Sequence, residues 1–170
     1  AALAEAVDAH LIRSRSSIEF QHPLVRAAVV AAAPPELLRR VHAALAQAST
    51  DPDRRTWHLA AATTGSDPQV AHALEELAGR ASSRSAHDVA ATALERASWF
   101  AHSQPERATH LVGAAESAWL AGQGERALRL LDQVGGLGPT HADLLARAGH
   151  LRGTIVSRTG SLTEAVDVCH

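Results

Sequence analysis

The chain has 170 residues, enough for about one ordinary domain or for a small module followed by a short repeat array. Its apolar residues are almost all alanine, leucine and valine; because alanine forms helices best and buries little surface, we expect an all-α fold of closely packed helices. The net charge of -2, with 16 arginines spread among acids, excludes the basic surface of a DNA-binding domain and indicates solvated charged faces.

The cysteine count and the chain ends bear on cellular context. Cys169 is the only cysteine, so no internal disulfide can form, and no signal segment or long apolar run occurs. We therefore expect a cytoplasmic location and no membrane contact. The sequence starts without methionine and ends in the helix-like pattern "LTEAVDVCH" without a stop signal, so we expect a fragment of a longer protein.

The N-terminal stretch predicts a helix, a small β-hairpin and a second helix. Leu3, Val7 and Leu11 recur at helical spacing, and this helix is expected to end near Ala9. The runs "LIRS" and "SIEF" around "RSS" predict a hairpin at about 10–21. Because an isolated hairpin is marginal in water, residues 1–49 are interpreted as the end of a winged-helix domain with connecting helices.

Prolines and capping residues predict the helices that follow. Pro23 holds His22 out of the α region and opens a helix to about Ala32, and Pro35 opens another to about Ala48. Farther on, the segments "STDPDRR", "TGSDPQ", "HSQPER", "GLGPTH" and "TGSLTE" separate helical runs. They predict helices at about 53–64, 67–83, 86–101, 104–121, 124–134, 140–159 and from 161 onward.

A small residue, an alanine five positions later and an aliphatic residue four positions after that recur along the chain. The pattern is complete at Gly122, Ala127 and Leu131, and it recurs with one residue relaxed at Ser85, Ala90 and Leu94 and at Gly160, Ala165 and Cys169. The offsets, 37 and 38 residues, slightly exceed the 34 of a tetratricopeptide repeat. Small residues let antiparallel helices cross closely. We therefore predict that residues 50–170 form tetratricopeptide-like helix pairs stacked as a right-handed solenoid, truncated at the C-terminus.

Four segments of the chain resemble a known family. They are "FQHPLVRAAV", "LLRRVHAALA", "DPDRRTWHLAAATTGSDPQVAHALEELA" and "AHDVAATALERAS", and they are similar to the central region of the large ATP-binding LuxR-type transcriptional regulators. The resemblance implies an upstream nucleotide-binding domain, a winged helix, a helical-repeat sensor arm and a downstream DNA-binding domain. No G-x-x-x-x-G-K-[ST] loop is present, and a chain without lysine cannot contain one, so no enzymatic activity is expected here.

The resemblance also assigns a role to His22. In related ATPases a histidine late in the winged helix faces the β-phosphate of bound ADP, and His22 has a similar position after the hairpin. With Arg26 it is predicted to contact nucleotide phosphate in the full-length protein, whose cofactor would be ATP or ADP; this chain alone is expected to hold no cofactor. The alternative is that His22 caps the hairpin-to-helix corner and Arg26 forms a local salt bridge.

Other candidate side chains predict no chemistry. A helical zinc pair needs histidines three or four residues apart, and none of the eleven histidines has that spacing, so no metal site is expected. No nucleophile motif occurs. Trp57, Trp99 and Trp119 are interpreted as core residues filling space between helix pairs; the alternative is a set of exposed anchors for a partner.

Two functional hypotheses remain open on the sequence. The first is a regulatory sensor region that binds a protein or small-molecule inducer on its repeats and communicates with the protein's own nucleotide-binding domain. The second is a helical-repeat scaffold that binds a partner without switching. Neither involves direct contact with nucleic acid.

Overall fold

The computed structural model of the protein describes residues 2–14, 18–137 and 141–159. Within these ranges the chain is helical apart from one two-stranded antiparallel sheet. The elements are α1 (Ala2–Asp8), β1 (Ile12–Ser14), β2 (Ile18–Phe20), α2 (Pro23–Ala32), α3 (Pro35–Ala48), α4 (Pro52–Ala62), α5 (Pro68–Ser83), α6 (His87–Ala97), α7 (Gln104–Leu120), α8 (Gly124–Gly135) and α9 (Ala142–Thr159). The predicted helical class and the hairpin are confirmed.

The predicted helix boundaries agree closely with the structure, with one clear exception. Helix α6 ends at Ala97, four residues before the predicted end at 101. The chain departs from the helix there because the carbonyl of Phe100 accepts hydrogen bonds from the backbone of Asp67 at 3.0 Å and from the Ser66 hydroxyl at 3.1 Å. The helix predicted from 161 onward lies outside the described residues.

Helix starts are stabilised by side chains that accept hydrogen bonds from the first turn. The Asp51 carboxylate accepts from the Arg54 backbone at 2.8 Å, and the Asp67 carboxylate accepts at 3.0 Å from that of Gln69. Each of these aspartates precedes a proline in the first helical position, where a missing backbone donor costs nothing.

Alanine is the commonest residue in the buried core of the described chain, and it lets the helices approach closely. The core forms two clusters, one centred on α4 to α6 and one on α6 to α9, and Leu94 of α6 contacts both. A β-carbon added to Gly113 of α7 would lie 3.2 Å from Leu94 Cδ1.

Helix α2, in contrast, buries none of its residues, and Leu24 is 72% exposed.

Two turns separated by 37 residues have the same backbone geometry. Ser85, between α5 and α6, has a φ of 59°, and Gly122, between α7 and α8, has a φ of 75°. In each turn the backbone N–H of the next residue donates to the carbonyl five positions back. The distances are 2.9 Å from Ala86 to Ala81 and 2.8 Å from Gln123 to Ala118. Two matches of the repeat found in the sequence thus correspond to a repeated C-terminal helix cap, and the third, at Gly160, lies outside the described residues.

Arginine side chains join separate helices rather than lying only on solvated faces, which corrects the interpretation from the sequence. Three such pairs each span 31 positions in the chain: Asp53 with Arg84, Glu95 with Arg126, and Glu116 with Arg147. The second pair joins α6 to α8 and the third joins α7 to α9. Each helix in these two pairs is therefore tied to the next but one.

The turn geometry predicts opposite effects for two substitutions. A non-glycine residue in the left-handed region costs about 1 kcal/mol, so Ser85→Gly should raise the free energy of unfolding by up to about that amount, and Gly122→Ser should lower it by a similar amount. Chemical denaturation measures both. Equal signs for the two changes would contradict the equivalence of the turns.

The Asp53 carboxylate is held by two arginines of the neighbouring helix region. It accepts from Arg80 Nε at 2.9 Å and from Arg84 Nη2 at 3.1 Å. Burial by itself would raise the pKa of Asp53, but these hydrogen bonds and the two positive charges outweigh burial and hold the pKa below its ordinary value of 3.8. The stabilisation is therefore complete above that ordinary value and is lost as the pH falls through the lowered one.

Replacing Asp53 by asparagine should remove this pH-dependent stabilisation. At pH 7 the free energy of unfolding should fall by about 1 kcal/mol, as expected for a partly exposed ion pair, and the deficit should shrink below about pH 4. Denaturant titrations at several pH values measure it. Asp88→Asn is the matched control because Asp88 also occupies the second position of its helix, and no ion pair joins it to a described arginine; an equal pH-dependent loss there would contradict the role of the arginines.

Candidate functional site

A cavity of about 430 Å³ lies between α4 and α6. Its lining consists of Trp57, Ala61, Thr92, Glu95, Arg96 and Trp99. The volume falls within the range of small-ligand sites, about 300–1,000 Å³. Two indole rings and one guanidinium therefore share one concave surface of ligand size.

The spacing of the lining residues explains how two helices build this cavity. Trp57 and Ala61 are four apart on α4, and Thr92 and Glu95 are three apart on α6, so each pair lies on one helix face. Trp99 follows just beyond the end of α6. The early end of α6 thus determines where this side chain lies.

Arg96 places a positive charge on the aromatic wall. Its guanidinium carbon lies 4.5 Å from the centre of the Trp99 ring, a cation–π arrangement. Its Nη2 donates to the carbonyl of Ala60, in the last turn of α4, at 3.3 Å. Among the residues that the structure describes, none of the acidic side chains forms an ion pair with Arg96, so its charge is not neutralised within that part of the chain.

Glu95, the acidic residue of the lining, is already paired. Its Oε2 accepts from Arg126 Nε at 3.2 Å and from Arg126 Nη2 at 2.6 Å, and Arg126 also donates to the hydroxyl of Thr92 at 3.1 Å. The pair is electrically neutral as a unit. Among the described lining residues, the excess charge is consequently the single positive charge of Arg96.

The tryptophans divide into two groups, and the prediction that all three are core residues is wrong for one. Trp99 is 57% exposed because it lies past the end of α6 and stacks on Arg96 instead of on a neighbouring helix. Trp57 and Trp119 are half-buried and pack against the core clusters, as expected. Sequence periodicity gave no signal for Trp99, because the end of α6 depends on hydrogen bonds to a distant loop.

His22 lies in the turn between β2 and α2, and Arg26 lies near the start of α2. Both side chains are exposed. His22 Nδ1 accepts from the backbone of Leu24 at 3.2 Å, which confirms its capping role. No described acid forms an ion pair with Arg26, so the local salt bridge of the alternative interpretation is not seen in the described ranges. The nucleotide contact implied by the resemblance stays a prediction; these two side chains alone form no phosphate cradle.

Two histidines far apart in sequence meet between α3 and α4. His42 Nδ1 and His58 Nδ1 lie 3.0 Å apart, with ring centres separated by 5.2 Å. The spacing test applied to the sequence could not find them because it compared residues within one helix. In the described part of the chain, no group of three or more His, Cys, Asp or Glu side chains is arranged to hold a metal ion.

A third histidine is buried against an acid of a neighbouring helix. His110 of α7 is 2% exposed, and its Nε2 donates to Glu75 Oε1 of α5 at 2.7 Å. Its Nδ1 has no hydrogen-bond partner among the described residues. The contact ties α5 to α7 at the edge of the core, since the Glu75 side chain is exposed.

Comparison with known protein families, with curated proteins and with solved structures finds no significant match to the chain. Across the described ranges, none of the helices combines the length and hydrophobicity that crossing a bilayer requires.

The exposure of Trp99 predicts a selective change in fluorescence quenching. Trp99→Phe should lower the acrylamide quenching constant of the protein more than any other single tryptophan replacement, because it removes the indole most accessible to solvent. Trp119→Phe, at a half-buried position, is the control and should leave the remaining emission more quenchable on average. A larger decrease for Trp119→Phe would contradict the position of Trp99.

Proposed function

We propose that this chain is the non-catalytic sensor region of a LuxR-type transcriptional regulator. In this proposal it binds a protein or a small-molecule inducer on tetratricopeptide-like repeats and couples that binding to an upstream ATPase domain and a downstream DNA-binding domain. The second candidate is a helical-repeat scaffold that binds a partner without switching.

The observation that carries the binding role is the cavity between α4 and α6. It combines an exposed tryptophan, Trp99, with an unneutralised arginine, Arg96, in a concavity of ligand size. Exposed aromatic and arginine side chains contribute most of the free energy in many recognition sites. A purely structural surface has no need of this combination.

The packing of the helices supports the repeat arrangement. From α3 to α8 each helix contacts the next one along the chain, and α7 also contacts α9. The two equivalent turns at Ser85 and Gly122 and the ion pairs between alternate helices add support. A right-handed solenoid of helix pairs, in which each repeat contacts its neighbours, explains all of these features.

The cavity lining favours binding over catalysis. Its hydroxyl, Thr92 Oγ1, donates to the carbonyl of Asp88 at 2.8 Å and accepts from Arg126, so it is engaged on both sides. Its carboxylate, Glu95, is paired with Arg126. Neither group is poised next to a base that would activate it.

Coupling to a nucleotide domain requires that the inducer distinguish two arrangements of the protein. A ligand shifts an equilibrium only by its difference in affinity for the two states. In the resting state that the resemblance implies, His22 contacts bound ADP, and inducer binding on the repeats favours a state without that contact. The scaffold alternative has no such second state.

The nucleotide role of His22 is tested in the full-length protein. His22→Asn keeps a side-chain acceptor for the helix cap but removes the imidazole, and it should weaken ADP binding about tenfold, the loss expected for one charge-assisted hydrogen bond. Calorimetric titration with ADP measures this change.

His141→Asn is the matched control, because His141 precedes α9 as His22 precedes α2, and the backbone carbonyl of each accepts from the first turn of its helix. It should leave ADP affinity unchanged. A full-length protein without ADP affinity, or one that holds ADP equally well after His22→Asn, would favour the scaffold.

A further inference from the structure

We propose that the cavity bounded by Trp57 and Trp99 binds a small apolar molecule carrying a single carboxylate. This inference rests on the proposed binding function and specifies the ligand of that site. It follows from the shape of the cavity, from its aromatic walls and from the balance of charges around it.

The apolar body of the ligand is indicated by the walls. Trp57 and Trp99 present indole rings, and Ala61 adds a small apolar floor between helices. Flat aromatic or hydrocarbon groups bury well against such rings, and stacked aromatic pairs are favoured beyond the area they bury. A strongly hydrated ligand would gain little binding free energy from these apolar walls.

The negative charge of the ligand is indicated by Arg96. The Glu95 carboxylate is neutralised by Arg126, whereas no described acid pairs with Arg96. The Arg96 hydrogen bond to the Ala60 carbonyl uses one of its five donors, and the rest can receive an anion. A planar carboxylate matches the planar fork of a guanidinium.

The same arrangement disfavours two other ligand classes. A cationic ligand is disfavoured because it would lie beside the Arg96 guanidinium, whose like charge no described acid neutralises. A doubly charged phosphate would leave one charge uncompensated, since Arg96 is the only unpaired cation among the described residues that line the cavity. A ligand with one negative charge would neutralise the positive charge of Arg96.

The size of the cavity favours a small molecule over a peptide. A concavity of about 430 Å³ bounded by six side chains has room for a compact body of one or two rings. A peptide would place most of its length outside these walls.

The experiment compares two probes of nearly equal shape, 2-naphthoate and 2-naphthamide, by calorimetric titration of the protein. The carboxylate should bind about tenfold more tightly than the neutral amide, the difference expected for a partly exposed charge-assisted contact. Arg96→Gln should bring the naphthoate affinity down to that of the amide and leave the amide affinity within about twofold. Trp99→Leu should weaken both probes.

A matched control separates the effect of the Arg96 charge from the effect of losing any one positive charge. Arg129, an exposed arginine of α8 outside the cavity, also lies beside an acid of its own helix, and Arg129→Gln should leave both affinities unchanged. Thermal unfolding of each variant establishes that it is folded. Equal loss of naphthoate affinity in Arg129→Gln and Arg96→Gln would show a general charge effect and overturn the assignment.

Each remaining outcome is decisive. If amide and carboxylate bind equally, the ligand is not an anion and the inference is wrong, although an apolar site is retained. If neither probe binds while an extended peptide does so in a manner that depends on Trp99, the site serves a polypeptide and the inference is wrong. The proposed function is judged separately by the ADP titration of the full-length protein, so the two can fail independently.

Discussion

Close contact between alanine-bearing helix faces is the constraint on which the rest of this structure depends. Ala90 and Ala127 are both fully buried, at equivalent places 37 residues apart, and each lies where a larger side chain would push two helices apart. Because each alanine buries little apolar area, the helices need further ties. These are provided by polar contacts between helices, such as the buried His110 with the exposed Glu75, and the half-buried Glu95 with the half-buried Arg126.

The candidate binding site arises where that packing stops. The buried face of α6 continues as far as Ala97, and the chain then turns away because the Phe100 carbonyl is held by the loop before α5. None of the described helices covers Trp99 at this turn, and Arg96 lies over its ring. The same polar pair that ties α6 to α8 neutralises Glu95, and the charge of Arg96 is left in excess. The ion pair that joins the two helices therefore also determines the net charge of the cavity.

Local chemistry accounts for what could be predicted from the sequence. Prolines and capping aspartates mark helix starts through contacts within a few residues, so the starts of α3 and α5 were predicted to within one position. The end of α6, the exposure of Trp99 and the meeting of His42 with His58 depend on contacts between distant segments, which periodicity within one helix does not report. The volume and the charge balance of the cavity likewise depend on contacts between distant segments, since Glu95 and Arg126 are 31 positions apart.

The contact of each helix mainly with its neighbours along the chain also bears on how the molecule is synthesised. From α4 onward, a helix that leaves the ribosome finds one of its packing partners already made, just upstream, and need not wait for the C-terminus. Structure can therefore grow in the direction of translation, one hairpin of helices at a time. Because each helix from α3 to α8 contacts the next along the chain, amide exchange should report openings whose free energies differ from one helix to another.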